Sequence, residues 1–161
     1  MEPIGVVRLQ TADFDAAAEA AALVRGRTAI GAVVTFTGIC RATPADPIAA
    51  ITLEHYPGMA EAEISRQVEA ARSRWPLLGV TVIHRYGRLQ PGENIVLVVT
   101  ASEHRHDAFA AAEFIMDFLK TRAPIWKREE RPGGARWVEA KDTDDAAARR
   151  WSGPQGRSAA E

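Results

Sequence analysis

The alternation of apolar and polar positions divides this chain into short strands and amphipathic helices. Ile4–Gln10 alternates and predicts a strand, and Asp13 predicts an N-cap for an alanine-rich helix over 14–25. Gly31–Gly38 is β-branched between glycines and predicts a second strand. Residues 39–47 carry Arg41, Thr43, two prolines and Asp46, which is loop chemistry. Ile48–Tyr56 predicts a strand paired with the preceding one and closed by Pro57-Gly58. Over Met59–Trp75, Ile64, Val68 and Ala71 fall on one helical face, and Pro76 ends the helix. Val80–Leu89 and Asn94–Ala101 flank Gln90-Pro91-Gly92-Glu93, which predicts a hairpin. A helix over 107–122 follows, with Ala108, Ala111, Ala112, Ile115 and Leu119 as its apolar stripe. Extended residues 125–130, a turn at Arg131-Pro132-Gly133-Gly134 and a return strand over 135–140 come next. Asp142 or Asp144 caps a last short helix ending near Trp151.

Hairpins interleaved with crossover helices predict an α+β fold with a mixed or antiparallel sheet rather than a doubly wound parallel one. At 161 residues the chain is read as one domain over 1–151, with a flexible C-terminal tail over 152–161. A net charge of −1 gives no global footprint for nucleic acid, so any electropositive site must be local. The one cysteine, Cys40, excludes an intramolecular disulfide and a Cys-rich metal site. With no signal-peptide pattern and no run of about 20 apolar residues, a cytoplasmic location is expected.

The densest chemistry lies at the end of the 107–122 helix. Lys120, Arg122, Lys127 and Arg128 place four cations within nine residues around Pro124 and Trp126. Pro124 disfavours helix at Ala123, so Lys120 belongs to the last helical turn and Lys127 to an extended segment beyond it. Two lysines on different elements can converge on one anion. A basic helix end complementing the helix dipole, followed by an amphipathic strand, explains the same spacing. A lysine among other cations and partly desolvated exchanges protons near neutrality, whereas arginine stays charged and suits phosphate. Lys120 and Lys127 are therefore the catalytic candidates, for an anionic and phosphorylated substrate.

Arg41 opens the proline-rich loop, and Glu103-His104-Arg105-His106 stands at a strand-to-helix junction where backbone N–H groups favour anions. Two histidines without a further ligand pattern make a weak metal motif, and no metal is expected. His55 and His84 read as structural residues within strands. Cys40 has no basic partner in sequence and reads as a small core residue rather than a nucleophile. Walker, dinucleotide, nucleophile-elbow and metalloprotease motifs are all missing.

At these residues the chain resembles the catalytic (large) subunit family of molybdopterin synthase. The matching blocks include Gly31–Gly38 with Arg41, Leu53-Glu54-His55-Tyr56-Pro57-Gly58-Met59, His104-Arg105, Lys120-Thr121-Arg122-Ala123-Pro124, Trp126-Lys127-Arg128-Glu129 and Arg136-Trp137-Val138-Glu139-Ala140. The resemblance runs from about residue 28 to Trp151. It implies an α/β-hammerhead-type fold with an additional small antiparallel sheet. It implies a sulfurtransferase moving two sulfurs from a small ubiquitin-like carrier, thiocarboxylated at its C-terminal Gly-Gly, to cyclic pyranopterin monophosphate. Two large subunits and two carriers would form a heterotetramer, with no cofactor. Carried over by position, Lys120 and Lys127 are the active-site lysines. Ile39, Cys40, Arg41, His104, Arg105, Arg128 and Glu129 join them as substrate contacts. The chain differs from the family at Ile39-Cys40, in the short loop 42–47 and at His106-Asp107, and Lys141, where an arginine would be unsurprising, is left as a candidate phosphate contact. The competing reading is a non-catalytic paralogue that holds the carrier or the pterin as a scaffold. A nucleic-acid-binding domain using the basic 120–131 segment is disfavoured by overall acidity.

Overall fold

The computed structural model describes residues 4–138 and 142–152. The elements are β1 (Ile4–Gln10), α1 (Ala16–Val24), β2 (Ala32–Ile39), β3 (Ala50–His55), α2 (Met59–Arg74) and β4 (Leu77–Arg85). They continue with β5 (Gly87–Leu89), β6 (Asn94–Ser102), α3 (Arg105–Thr121), β7 (Ile125–Arg131), β8 (Gly134–Val138) and α4 (Asp142–Arg149). The fold is α+β. One sheet has the order β1-β4-β6-β2 and the other β5-β3-β7-β8. The first is mixed, with β1 parallel to β4 and the remaining pairs antiparallel, and the second is wholly antiparallel.

The central strands β4 and β6 read as nearly continuous apolar runs because both faces of their sheet are covered. Val80, Val82, Val96 and Val98 face α2 and α3, packing on Ile64, Val68, Ala111, Ile115 and Phe118. The alternate residues Ile83, Leu97, Val99 and Ala101 face α1 through Leu23 and Phe14. A third, smaller cluster of Cys40, Ile51, Leu53 and Leu89 fills the seam between the two sheets. The five residues of the predicted α3 stripe are all buried.

Several expectations are corrected. Asp15, not Asp13, caps α1: its carboxylate accepts from Ala18 N at 3.0 Å, while Asp13 accepts from Phe14 N and Asn94. The strand after the proline-rich loop does not pair with β2. β2 joins β6, and β3 joins β5 and β7 in the other sheet. The single strand expected over 80–89 is two strands. The chain leaves the first sheet after Arg85 and enters the second at Gly87, whose φ of 91° favours glycine. Arg85 fixes this crossing: its buried guanidinium donates to Thr11 O and Asn94 O. The hairpin expectation holds for β4 and β6, which pair antiparallel. Residues 139–140 of the expected last strand, Lys141, and the tail from 153 lie outside the described residues.

At the far end, α4 docks through Trp151. Its indole donates to Asp117 at 2.6 Å and stacks edge-on with Trp75 and Phe114. Among the described residues no helix is long and apolar enough to cross a membrane.

Candidate active site

The seam between the sheets collects most of the candidate side chains. On β7, Ile125, Lys127, Glu129 and Arg131 share one face, and β3 sets Ile51, Leu53 and His55 beside Glu129, Lys127 and Ile125. This face turns toward the seam: Ile51 and Leu53 are buried there beside Cys40, and Ile125 packs against them. Lys127 is about a third exposed, so its ammonium reaches the surface while its stem lies on apolar neighbours. Its Nζ stands 3.6 Å from Glu129 Oε1, and Glu129 is almost fully buried.

Cys40 ends the β2 segment and is held by reciprocal backbone bonds, its N–H to Glu93 O and its O from Gly92 N. Burial pushes its thiol up, against the opposing pull of the nearby Lys127 charge. A buried, protonated thiol fits a core role rather than nucleophilic attack. Ile39, by contrast, is 54% exposed beside it. Arg41 is exposed at the start of the loop and lies near Asp46, whose carboxyl is held below its usual range chiefly by a hydrogen bond from Arg131, with Arg41 and Arg136 adding positive charge.

Lys120 stands in the last turn of α3 as expected, exposed. It faces His84. Burial drives the His84 imidazole down to about 4, and the charges of Lys120 and His55 push the same way. His84 Nδ1 is 2.8 Å from Arg85 O, which fits a neutral ring donating to that carbonyl. His55 in turn packs on Tyr86 with ring centroids 4.4 Å apart. His55, Tyr86, Ile125 and Lys127 thus form a wall along the seam, and the buried His84 feels the charges of both His55 and Lys120. The proline explains the layout. α3 stops at Thr121, Arg122 N and Ala123 N both return to Phe118 O, and Pro124 O accepts from Tyr56 N as β7 begins.

Two groups of candidates fall elsewhere. Arg128 alternates to the opposite face of β7 from Lys127, beside Glu130 and opposite Trp137. His104 and Arg105 are exposed at the start of α3, lining a cavity of about 740 Å³ with Gly31, Glu103, His106 and Phe109. Ser102 Oγ donates to His104 O and Thr100 Oγ1 to Ala108 O, anchoring this end of α3 on β6. From Arg105 to Lys120 the helix rises about 22 Å. Within one chain, therefore, the His104-Arg105 pair and the lysine wall are separate surfaces.

The sequence reading passed over Asp46 and Arg131. A signal for Arg131 was present: Lys127, Glu129 and Arg131 recur with the two-residue period of a strand face. Asp46 gave no such signal, because a loop residue's partner is set by tertiary folding. Among the described residues no group of three or more His, Cys, Asp or Glu side chains is arranged to hold a metal.

Comparison with known proteins agrees with this architecture. The family model described as MoaE protein matches residues 9–122. A relative named molybdopterin synthase catalytic subunit, from Mesorhizobium japonicum, is 60% identical over 147 residues, covering 90% of this chain and 92% of its own. A solved structure of a molybdopterin biosynthesis MoaE protein from Burkholderia ambifaria superposes with a TM-score of 0.80 at 49% identity, covering 94% of this chain and 100% of that one. A complex of subunits 1 and 2 of molybdopterin-converting factor from Helicobacter pylori shares the fold, with a TM-score of 0.65 at 20% identity over 86% of this chain and 90% of that one. The family match spans well over half of the chain, and the chain belongs to the MoaE family, whose relatives are molybdopterin synthase catalytic subunits.

Proposed function

We propose that this chain is the catalytic subunit of a cytoplasmic molybdopterin synthase. It transfers sulfur from the thiocarboxylated C-terminus of a small ubiquitin-like carrier to cyclic pyranopterin monophosphate, twice per dithiolene formed. The observation that carries the reading is that Lys120 and Lys127 stand on two different elements, α3 and β7, on either side of Pro124, with Lys127 on the seam wall. Lys120, at the outer end of α3, orients the incoming thiocarboxylate and assists proton transfer as sulfur adds. Lys127 stabilises negative charge developing on the substrate, or protonates the opening cyclic phosphate. Glu129 stands beside it at 3.6 Å. The sulfur arrives with the carrier, so no nucleophilic cysteine is needed, in keeping with the buried Cys40. The two-subunit complex from Helicobacter pylori supports a small-subunit partner.

The site is shared between two copies of the chain. His104 and Arg105 carry the chemistry of an anion site, yet they stand about 22 Å along α3 from Lys120. A two-fold dimer that sets the α3 start of one copy against the seam of the other unites phosphate-binding and proton-transfer groups in each of two sites. Subunit complementation tests this together with the activity. Lys127→Ala and Arg105→Ala chains are each purified with carrier and assayed for dithiolene product, then mixed under conditions that exchange subunits. Both single variants should be nearly inactive, and the mixture should recover about a quarter of wild-type turnover, since half the dimers are mixed and each holds one intact site. Exchange without recovery would place both residues in one chain's site and refute sharing. A wild type that forms no product would refute the activity.

A further inference from the structure

Arg131 closes β7 four residues beyond Lys127 and on the same strand face. Its side chain is only 19% exposed, and its guanidinium is divided between two carboxylates from different parts of the chain. Nη1 meets Asp46 Oδ1 at 2.5 Å, while Nη2 and Nε meet Glu129 Oε2 at 2.6 and 2.7 Å. The other Glu129 oxygen is the one that faces Lys127 Nζ at 3.6 Å. Asp46 lies in the loop opened by Arg41. There it closes a tight turn with Thr43, with backbone bonds of 3.2 and 3.0 Å and a further bond from its N–H to Thr43 Oγ1 at 3.1 Å. Beyond the turn, Ala49 N donates to Glu130 O at 2.8 Å, so the loop returns along β7. An unbroken series of ion pairs therefore runs from the Arg41 loop to the reactive face: Asp46, Arg131, Glu129, Lys127.

The planar guanidinium suits this task. It presents donors in a fixed fork and can satisfy two carboxylates at once, which a lysine cannot match in geometry. Glu129 is 5% exposed, and a carboxylate that deep needs a cation and hydrogen bonds to stay charged. Arg131 supplies both to one oxygen and leaves the other toward Lys127. The link from Asp46 to Arg131 ties the tip of the loop to β7.

We propose that Arg131 is a positioning residue of the sulfur-transfer site, binding Asp46 and Glu129 together so that the short Arg41 loop is fixed over β7 and Glu129 is aimed at Lys127. The proposal rests on the site reading given above. Its two limbs have separable effects. The Asp46 limb acts on the loop and hence on substrate binding through Arg41. The Glu129 limb acts on the lysine and hence on turnover.

The test compares Asp46→Ala, Arg131→Ala and Arg131→Lys with wild type, by steady-state kinetics with thiocarboxylated carrier and cyclic pyranopterin monophosphate. Amide hydrogen exchange is measured on the free chain. Asp46→Ala should raise KM for the pterin about fivefold and leave kcat within about twofold, and Arg131→Ala should raise KM likewise and lower kcat about tenfold. Arg131→Lys should recover part of the kcat loss. In both alanine variants the amides of Thr43, Asp46 and Ala49 should exchange faster. Unchanged exchange at these amides, or equal kinetic effects of Asp46→Ala and Arg131→Ala on kcat, would overturn the proposal. Should Arg131→Ala fail to fold, Asp46→Ala and Arg131→Lys decide the matter. A wild type without product defeats the site reading instead, and the exchange data on the free chain still decide whether Arg131 holds the loop.

Discussion

Replacing Gly31 with alanine tests whether the start of α3 belongs to the reaction. Gly31 carries no functional atom, and its N–H donates to Ser102 O at 3.0 Å just before β2 begins. An added Cβ would approach the Glu103 carbonyl oxygen closer than 3.0 Å, with the carbonyl carbon at 3.4 Å. An ordinary carbon–oxygen contact begins near about 3.3 Å, so the backbone at Glu103 must move by something on the order of 0.5–1 Å. The shift cannot spread into the helix freely. Ser102 Oγ holds His104 O, and Thr100 Oγ1 holds Ala108 O on the buried side. It is taken up between Glu103 and Arg105. Overpacking of this kind costs about 1–3 kcal/mol of stability, which a folded domain can tolerate. A displacement of about 1 Å in a substrate-positioning group can cost about a hundredfold in rate. Gly31→Ala should therefore fold, bind the carrier, and lose ten- to a hundredfold in kcat/KM for the pterin, about 1.4–2.8 kcal/mol of transition-state stabilisation. Gly5→Ala is the control, since its Cβ would meet only Arg72 and Val68 at 3.8 Å. The assay is dithiolene formation, alongside denaturant unfolding of each variant. A folded Gly31→Ala chain with wild-type kcat/KM would refute the placement of His104 and Arg105 at the substrate.

Two further outcomes are expected. His84 is buried with its imidazole lowered from 6.5 to about 4, so the unfolded state binds a proton that the folded state refuses between those values. Its contribution to stability is complete above about pH 6.5, falls as the pH drops toward 4, and levels off below, a loss on the order of 3 kcal/mol. Urea unfolding from pH 7 to pH 4 should show this loss, and His84→Gln should show less of it; identical slopes for the two proteins would contradict the burial argument. Cys40→Ser should retain substantial turnover, with a stability loss of about 1–2 kcal/mol from placing a hydroxyl in an apolar cluster, read by thermal unfolding and product formation together. Near-complete loss of turnover in a folded Cys40→Ser chain would restore the thiol to the mechanism.

The parts of this fold that were legible in sequence are those fixed by local periodicity. The stripe Ala108, Ala111, Ala112, Ile115, Leu119 is buried as its spacing predicts, and Pro124 does end α3 just after Lys120. Pairing was less legible. The alternation in 48–56 marks a strand but not its partner, and β3 finds β5 and β7 across more than thirty intervening residues. The stretch 80–89 reads as one strand because nothing local reveals that Arg85 will be drawn to Thr11 O and Asn94 O. The same limit applied to the site. Spacing placed Lys120 and Lys127 on two elements around one proline. The distance between Arg105 and Lys120 follows only from the length of α3, and the Asp46–Arg131 pair joins residues 85 positions apart.

The central claim is that Lys120 and Lys127 carry sulfur transfer on this seam. The most direct measurement is reconstitution with thiocarboxylated carrier and cyclic pyranopterin monophosphate, comparing wild type with Lys120→Ala and Lys127→Ala and measuring carrier affinity in parallel. Dithiolene product from wild type, with turnover lowered about a hundredfold or more in each variant while carrier affinity changes by less than about threefold, is the predicted result. Wild-type turnover in either variant, or loss of carrier binding in proportion to loss of turnover, would contradict it.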